Sequence, residues 1–184
     1  MKKITFLSFI AILSFTACNN ASKKTQQETI SADAITSATN EASTLLNVSQ
    51  EEGTNMVYNF LKNSKHYFLA TVEDNKPKVR PIAIAIKYKG KIWFHVGKQK
   101  ACYAQIKKNP NVEIAAMDST GNFIRIYGKA VFIEDKVLDD MLFEKHPNLK
   151  TVYNKDSGLK LGHFFISDGV ADIPTDSSSV VVKF

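Results

Sequence analysis

Two cations in this chain have the chemistry and the spacing to hold an anion. Arg80 lies in a run of alternating apolar residues, and Lys100 stands where a short helix must begin, since Asn109-Pro110 must end it. A helix N-terminus offers free backbone N–H groups and a partial positive charge. A lysine there opposes the dipole unless an anion sits beside it. Arginine adds a planar fork that matches phosphate oxygens, and lysine adds a point charge. Residue types and placing therefore predict a phosphate gripped beside a flat apolar slot. The bland alternatives are a carboxylate partner for Arg80 and a solvated position for Lys100.

The other reactive side chains carry weaker signals. His95 is the histidine nearest this slot, yet a lone histidine among apolar residues is ordinarily a packed one. His66, His146 and His163 show no ligand-like spacing, so no metal site is expected. Cys102 reads as helix core, because no Cys-His pairing is visible. Arg125, in an apolar strand, reads as one half of an ion pair or as an interface residue. Tyr103 and Tyr127 suit ring stacking and plain packing equally.

The elements that must position these groups follow from periodicity. Met56, Val57, Phe60 and Leu61 recur at helical spacing up to Asn63-Ser64. Strands are predicted over His66–Glu73, Val79–Tyr88 and Lys91–Val96, with turns at Asp74-Asn75-Lys76-Pro77 and Lys89-Gly90. In the second of these, Ile82, Ile84 and Ile86 share one face. Val79, Pro81, Ala83 and Ala85 share the other, and small residues there imply a face covered by another subunit or a flat ligand. A helix over Gln99–Lys108 comes next, then a hairpin of Val112–Met117 and Asn122–Ile133. Val137, Leu138, Met141 and Leu142 mark another helix. Strands close the chain at His163–Ser167, Val170–Ile173 and Val180–Phe184. Many short antiparallel strands with small helices predict a mainly β fold, a closed or split β-barrel.

The first 17 residues read as a signal peptide. Lys2 and Lys3 precede an apolar run, Ile4 to Phe15, too short to span a bilayer, and Thr16-Ala17 precede Cys18. This pattern resembles a bacterial lipobox, with Cys18 acylated and the protein anchored at the cell envelope; the alternative leaves Cys18 an ordinary thiol. Residues 18–50, rich in Ser, Thr, Asn and Gln, read as a flexible tether, with a short helical patch near Ala42 to Val48 possible. Residues 51–184 form one domain. The chain's net charge of +6 becomes +5 in that domain, spread over turns and helix faces. Nucleic acid is not expected, and an anionic small molecule suits the charge. With one cysteine besides Cys18, the domain has no internal disulfide.

In order, Phe68-Leu69-Ala70-Thr71-Val72, Pro77-Lys78-Val79-Arg80-Pro81, Ile92-Trp93-Phe94 leading to Lys100, Ala104 to Glu113 and Ile124 to Ala130 resemble the pyridoxamine 5′-phosphate oxidase-like flavin-binding split barrels. The resemblance runs over roughly His66 to Val170. It implies FMN in a groove between two subunits of a homodimer, with Arg80 and Lys100 as phosphate ligands. Pro81, Ile82, Ala83, Phe94, His95 and Val96 would flank the isoalloxazine, and Gln105 would reach the cofactor from its helix. It further implies a flavin-dependent oxidoreductase of small heteroaromatic compounds, with hydride exchange at flavin N5. Val96 and Gln99 stand where the family often has hydroxyls, so Lys98 is expected to compensate. Trp93 is the single tryptophan and no C-terminal Glu-Phe-Trp motif follows Pro174, which disfavours vitamin B6 oxidation. Some split barrels bind haem, with His95 or His163 as candidate axial ligands. The alternative function is a non-catalytic flavin- or haem-binding envelope lipoprotein.

Overall fold

The computed structural model describes residues 43–174 and 178–184, and these form a split β-barrel with three helices. The expected signal peptide, Cys18 and most of the expected tether lie outside those residues. One strand organises the rest. β8 (Leu161–Pro174) pairs with β7 (Phe123–Ile133) from His163 to Asp172. Its first half also pairs with β5 (Lys91–Gly97), and its second half with β9 (Ser179–Lys183). Two strands at His163–Ser167 and Val170–Ile173 were expected. They are one, because Asp168 absorbs the irregularity at φ 52° and pairing resumes beyond it.

From β7 the sheet continues through β6 (Asn111–Asp118) and β2 (Ser64–Glu73) to β3 (Lys76–Ile82) at the edge. The predicted strand Val79–Tyr88 is in fact two. β3 pairs only with β2, and β4 (Ala85–Tyr88) pairs only with β5. The chain thus crosses from one edge of the sheet to the other at Ala83-Ile84. Pro77 and Pro81 have no N–H to give a second neighbour, which suits an edge strand.

β1 (Ser43–Leu45) runs parallel to β9, so a strand stands inside the segment read as tether, where a helical patch was entertained. α1 (Gln50–Asn63) starts from a capping box in which Ser49 and Glu52 satisfy each other's backbone. Val57 and Leu61 on its inner face are fully buried. α2 (Ala101–Lys108) supplies Cys102 and Ile106 to the same core as Leu69, Phe94, Ile114, Ile126 and Phe164. α3 (Lys136–Lys145) begins at Asp135, whose side chain accepts from the Val137 N–H. It covers a second apolar cluster of Ile86, Leu142 and Leu161, and a third of Trp93, Leu138 and Phe165.

Candidate cofactor site

Arg80 is built into the end of the barrel that α2 covers. Its register partner across β2 is Leu69, so its side chain projects on the inner face. There Nη1 donates to Thr71 Oγ1 at 2.7 Å and to the Leu69 carbonyl at 3.3 Å, and Nη2 donates to Gln105 Oε1 at 2.7 Å. Thr71 Oγ1 in turn donates to Gln105 Oε1 at 2.7 Å, and Thr71 and Gln105 are both buried. The ring of three side chains uses two of the five N–H donors of the guanidinium, and the Leu69 carbonyl takes a third. Among the described residues, Nε–H and one Nη2–H remain for another acceptor. No carboxylate meets Arg80 among the described ion pairs, so the charge is oriented without being neutralised.

Lys100 is the residue at the start of α2, exposed, with no side chain capping the helix. Gln105 follows it by five positions, about 7 to 8 Å along the axis at the helical rise. Arg80, tied to Gln105, and Lys100 are therefore two cations fixed to the same helix, one of them beside uncapped N–H groups. Lys98 is committed elsewhere, bonded to Glu134 at 2.5 Å, and that bond holds the Glu134 carboxyl below its usual range. Gln99 folds its amide over Gly97, where an added Cβ would meet it at 2.7 Å.

Strand alternation divides the remaining predicted residues. Arg80 and Ile82 face inward, while Pro81 and Ala83 are exposed. The side chains of Phe94 and Val96 are buried in the main core, so main chain alone can border a groove there. Gln105 holds Arg80 and Thr71, so its carbonyl oxygen faces the arginine. His95 projects from the other face of β5, beneath α3. Its Nδ1 lies 2.7 Å from His163 Nδ1, and His163 Nε2 lies 2.9 Å from Asp139 Oδ1. Burial, then the charges of His163 and His146, push His95 down to about 3. The two rings named as candidate haem ligands meet through their Nδ1 atoms, which leaves His95 Nε2, buried and without a hydrogen-bond partner among the described residues, as the one ring nitrogen of the pair still open to a ligand. The groups that suit the phosphate of FMN are the two unused donors of Arg80, Lys100 and the open helix start.

Sequence reasoning missed Thr71 and Asp139. Thr71 sits in an unremarkable strand alternation, and a mid-strand threonine carries no signal of its own. Asp139 looks like one more solvated helix charge. Only its β8 partner distinguishes it.

A family model described as pyridoxamine 5′-phosphate oxidase matches residues 55–160. No curated protein matches. Among solved structures, a NimC/NimA family protein from Clostridium acetobutylicum is 27% identical with a TM-score of 0.67, over 73% of this chain and 94% of that one. A protein related to the general stress protein 26 of Bacillus subtilis (pyridoxinephosphate oxidase family), also from Clostridium acetobutylicum, is 16% identical, with a TM-score of 0.56 over 73% and 96%. A heme binding protein from Mycobacterium smegmatis shares the fold at 10% identity and a TM-score of 0.56, over 75% and 59%. With the matched segment spanning more than half of the 184 residues, the chain belongs to the pyridoxamine 5′-phosphate oxidase family.

Proposed function

We propose that this chain binds FMN, with Arg80 and Lys100 on the phosphate, and works as a flavin-dependent oxidoreductase on a small heteroaromatic substrate. The observation that carries this reading is the Arg80–Thr71–Gln105 ring. It orients an arginine without a carboxylate and leaves donors of its fork unused, at the helix whose open start holds Lys100. When bound, FMN would supply hydride exchange at N5. The chain's own contribution is to bind the phosphate, to border the ring with the exposed Pro81 and Ala83, and to exclude water.

A second copy of the chain completes the site in this reading. Register places Phe68, Val79, Pro81, Met117 and Phe123 on one outer face of the sheet. Val79 is 65% and Met117 58% exposed, an apolar surface that a soluble monomer seldom presents. Arg125, on the same face, pairs with Asp172, one of whose carboxylate oxygens is buried without a partner among the described residues. A twofold contact here would cover the apolar residues and supply that missing donor.

Lys98 and Val96 favour a second reading, a flavin carrier without turnover, because the phosphate side has lost a cation to Glu134 and, with the Val96 side chain buried in the core, has no hydroxyl to offer at that position. The pattern from Lys2 to Cys18 supports an envelope lipoprotein in either case. The absorbance spectrum of the purified mature chain, with its mass in solution, tests the proposal. Flavin bands on a dimer support it; a colourless monomer that stays so with excess FMN ends it. Photoreduction followed by candidate acceptors separates enzyme from carrier. A fatty-acid label on the wild type, absent from Cys18→Ala, tests the anchor.

A further inference from the structure

Beneath α3 a line of three side chains runs from the surface to a buried nitrogen. Asp139 has a 43% exposed side chain, His163 is 2% exposed, and the inner atom, His95 Nε2, is buried with no hydrogen-bond partner among the described residues. Direct cross-strand pairing of β5 with β8 sets His95 opposite His163. Their rings cross at 78° with centroids 4.9 Å apart, which brings the two Nδ1 atoms together. Of the other titratable groups, His146 acts on His95, and Glu134, itself held by Lys98 and near Lys160, feels the charge of His163. No group of three or more His, Cys, Asp or Glu among the described residues is arranged to hold a metal.

Hydrogen counting fixes the tautomers. A carboxylate only accepts, so His163 presents Nε2–H to Asp139. Neutral His163 then has a bare Nδ1, and the hydrogen shared at 2.7 Å belongs to His95 Nδ1. Neutral His95 is left with Nε2 as a lone pair, the very atom that lacks a donor. Taking up one proton rearranges the whole line. The proton adds at His95 Nε2, the Nδ1 hydrogen passes to His163 Nδ1, and the positive charge comes to rest on His163 against Asp139. His95 ends neutral, with its Nε2 now a donor.

We propose that Asp139, His163 and His95 form a one-proton relay, in which a single uptake reverses the buried His95 Nε2 from acceptor to donor and turns the α3–β8 bond into an ion pair. The relay is a pH-sensitive clasp on the helix that covers this side of the barrel, and it operates whether or not flavin is bound. A second proton is refused because it would place two imidazolium rings nitrogen to nitrogen.

Long-range proton–nitrogen correlation spectra of the full chain with ¹⁵N-labelled histidine, followed from pH 8 toward pH 5, test this. At pH 8 the expected state is His95 protonated at Nδ1 only and His163 at Nε2 only. In mild acid His163 should gain its second hydrogen in the same step that moves the His95 hydrogen to Nε2. An Nε2-protonated His95 at pH 8, or two rings that each become imidazolium in the same pH range, overturns the relay. Asp139→Asn should move the step down by about one pH unit; an unmoved step removes Asp139 from it. If that variant does not fold, the wild-type spectra decide alone.

Discussion

Arg80 Nη2 donates to Gln105 Oε1 at 2.7 Å, and so an edge strand and the helix that starts at Lys100 are held as one rigid unit. The same amide oxygen accepts from the buried Thr71 hydroxyl. Gln105 therefore sets the direction of the arginine while adding no charge of its own.

Changing the charge of that acceptor separates orientation from affinity. Gln105→Glu should keep the fold and weaken FMN binding by tenfold or more, because a carboxylate on Arg80 competes with the phosphate. Gln105→Leu leaves Arg80 and Thr71 each short of an acceptor, and should lower stability by about 1–3 kcal/mol. Fluorescence titration and denaturant unfolding read the two effects. An unchanged FMN affinity in the Glu variant would place the phosphate elsewhere.

The phosphate itself can be removed from the ligand. Arg80→Ala should weaken FMN by about 1.5–3 kcal/mol, the scale of a charge-assisted hydrogen bond, and riboflavin far less. Equal losses for the two ligands, measured by fluorescence quenching, would count against Arg80 as a phosphate ligand.

Acid should destabilise the chain in a defined window. The His95 ring titrates at about 3 when folded and at 6.5 when unfolded. Between these values the unfolded chain makes His95 an imidazolium, a charge the folded ring refuses, since the relay's single proton leaves His95 neutral. Stability is therefore full above the unfolded value and is lost as pH falls from 6.5 toward 3. The loss at pH 5 relative to pH 8 should reach at most about 2 kcal/mol. Urea unfolding at both pH values checks this, with His95→Gln predicted to flatten the dependence; an equal slope in that variant would move its origin to other groups.

Close packing at the start of α1 gives a test of the fold. An added Cβ at Gly53 would lie 2.3 Å from the Lys183 carbonyl oxygen and 2.8 Å from Val182 Cγ1. Both belong to β9, whose backbone cannot yield without losing its pairing with β8. Gly53→Ala should cost about 1–3 kcal/mol, the scale of overpacking, and lower the melting temperature. Gly90→Ala, in open space at a turn, probes backbone conformation alone, since Gly90 has φ 68°.

The outer sheet face predicts assembly. Val79→Glu with Met117→Glu should yield a folded monomer with reduced FMN content, as read by light scattering and absorbance. Retained dimers would show that the subunits meet through a different surface.

Local order was open to reading from the residues. Helical spacing placed α1 and α3, Pro110 stopped α2, and apolar alternation found β2, β5, β6 and β7, since each signal lies within a few neighbours along the chain. The family could be recognised because the motif order survives with the chain. Other features depended on partners far away in sequence. Nothing local divides Val79–Tyr88 at Ala83-Ile84; the two halves separate because they pair with opposite edges of the sheet. Arg80 and Gln105 stand 25 residues apart, and His95 and His163 stand 68 apart. The residue types alone determined that cations, a threonine, an amide and histidines were present. Tertiary structure alone decided which of them share a hydrogen, because register and barrel closure arise from pairing across the whole sheet, and no short window of sequence contains both partners.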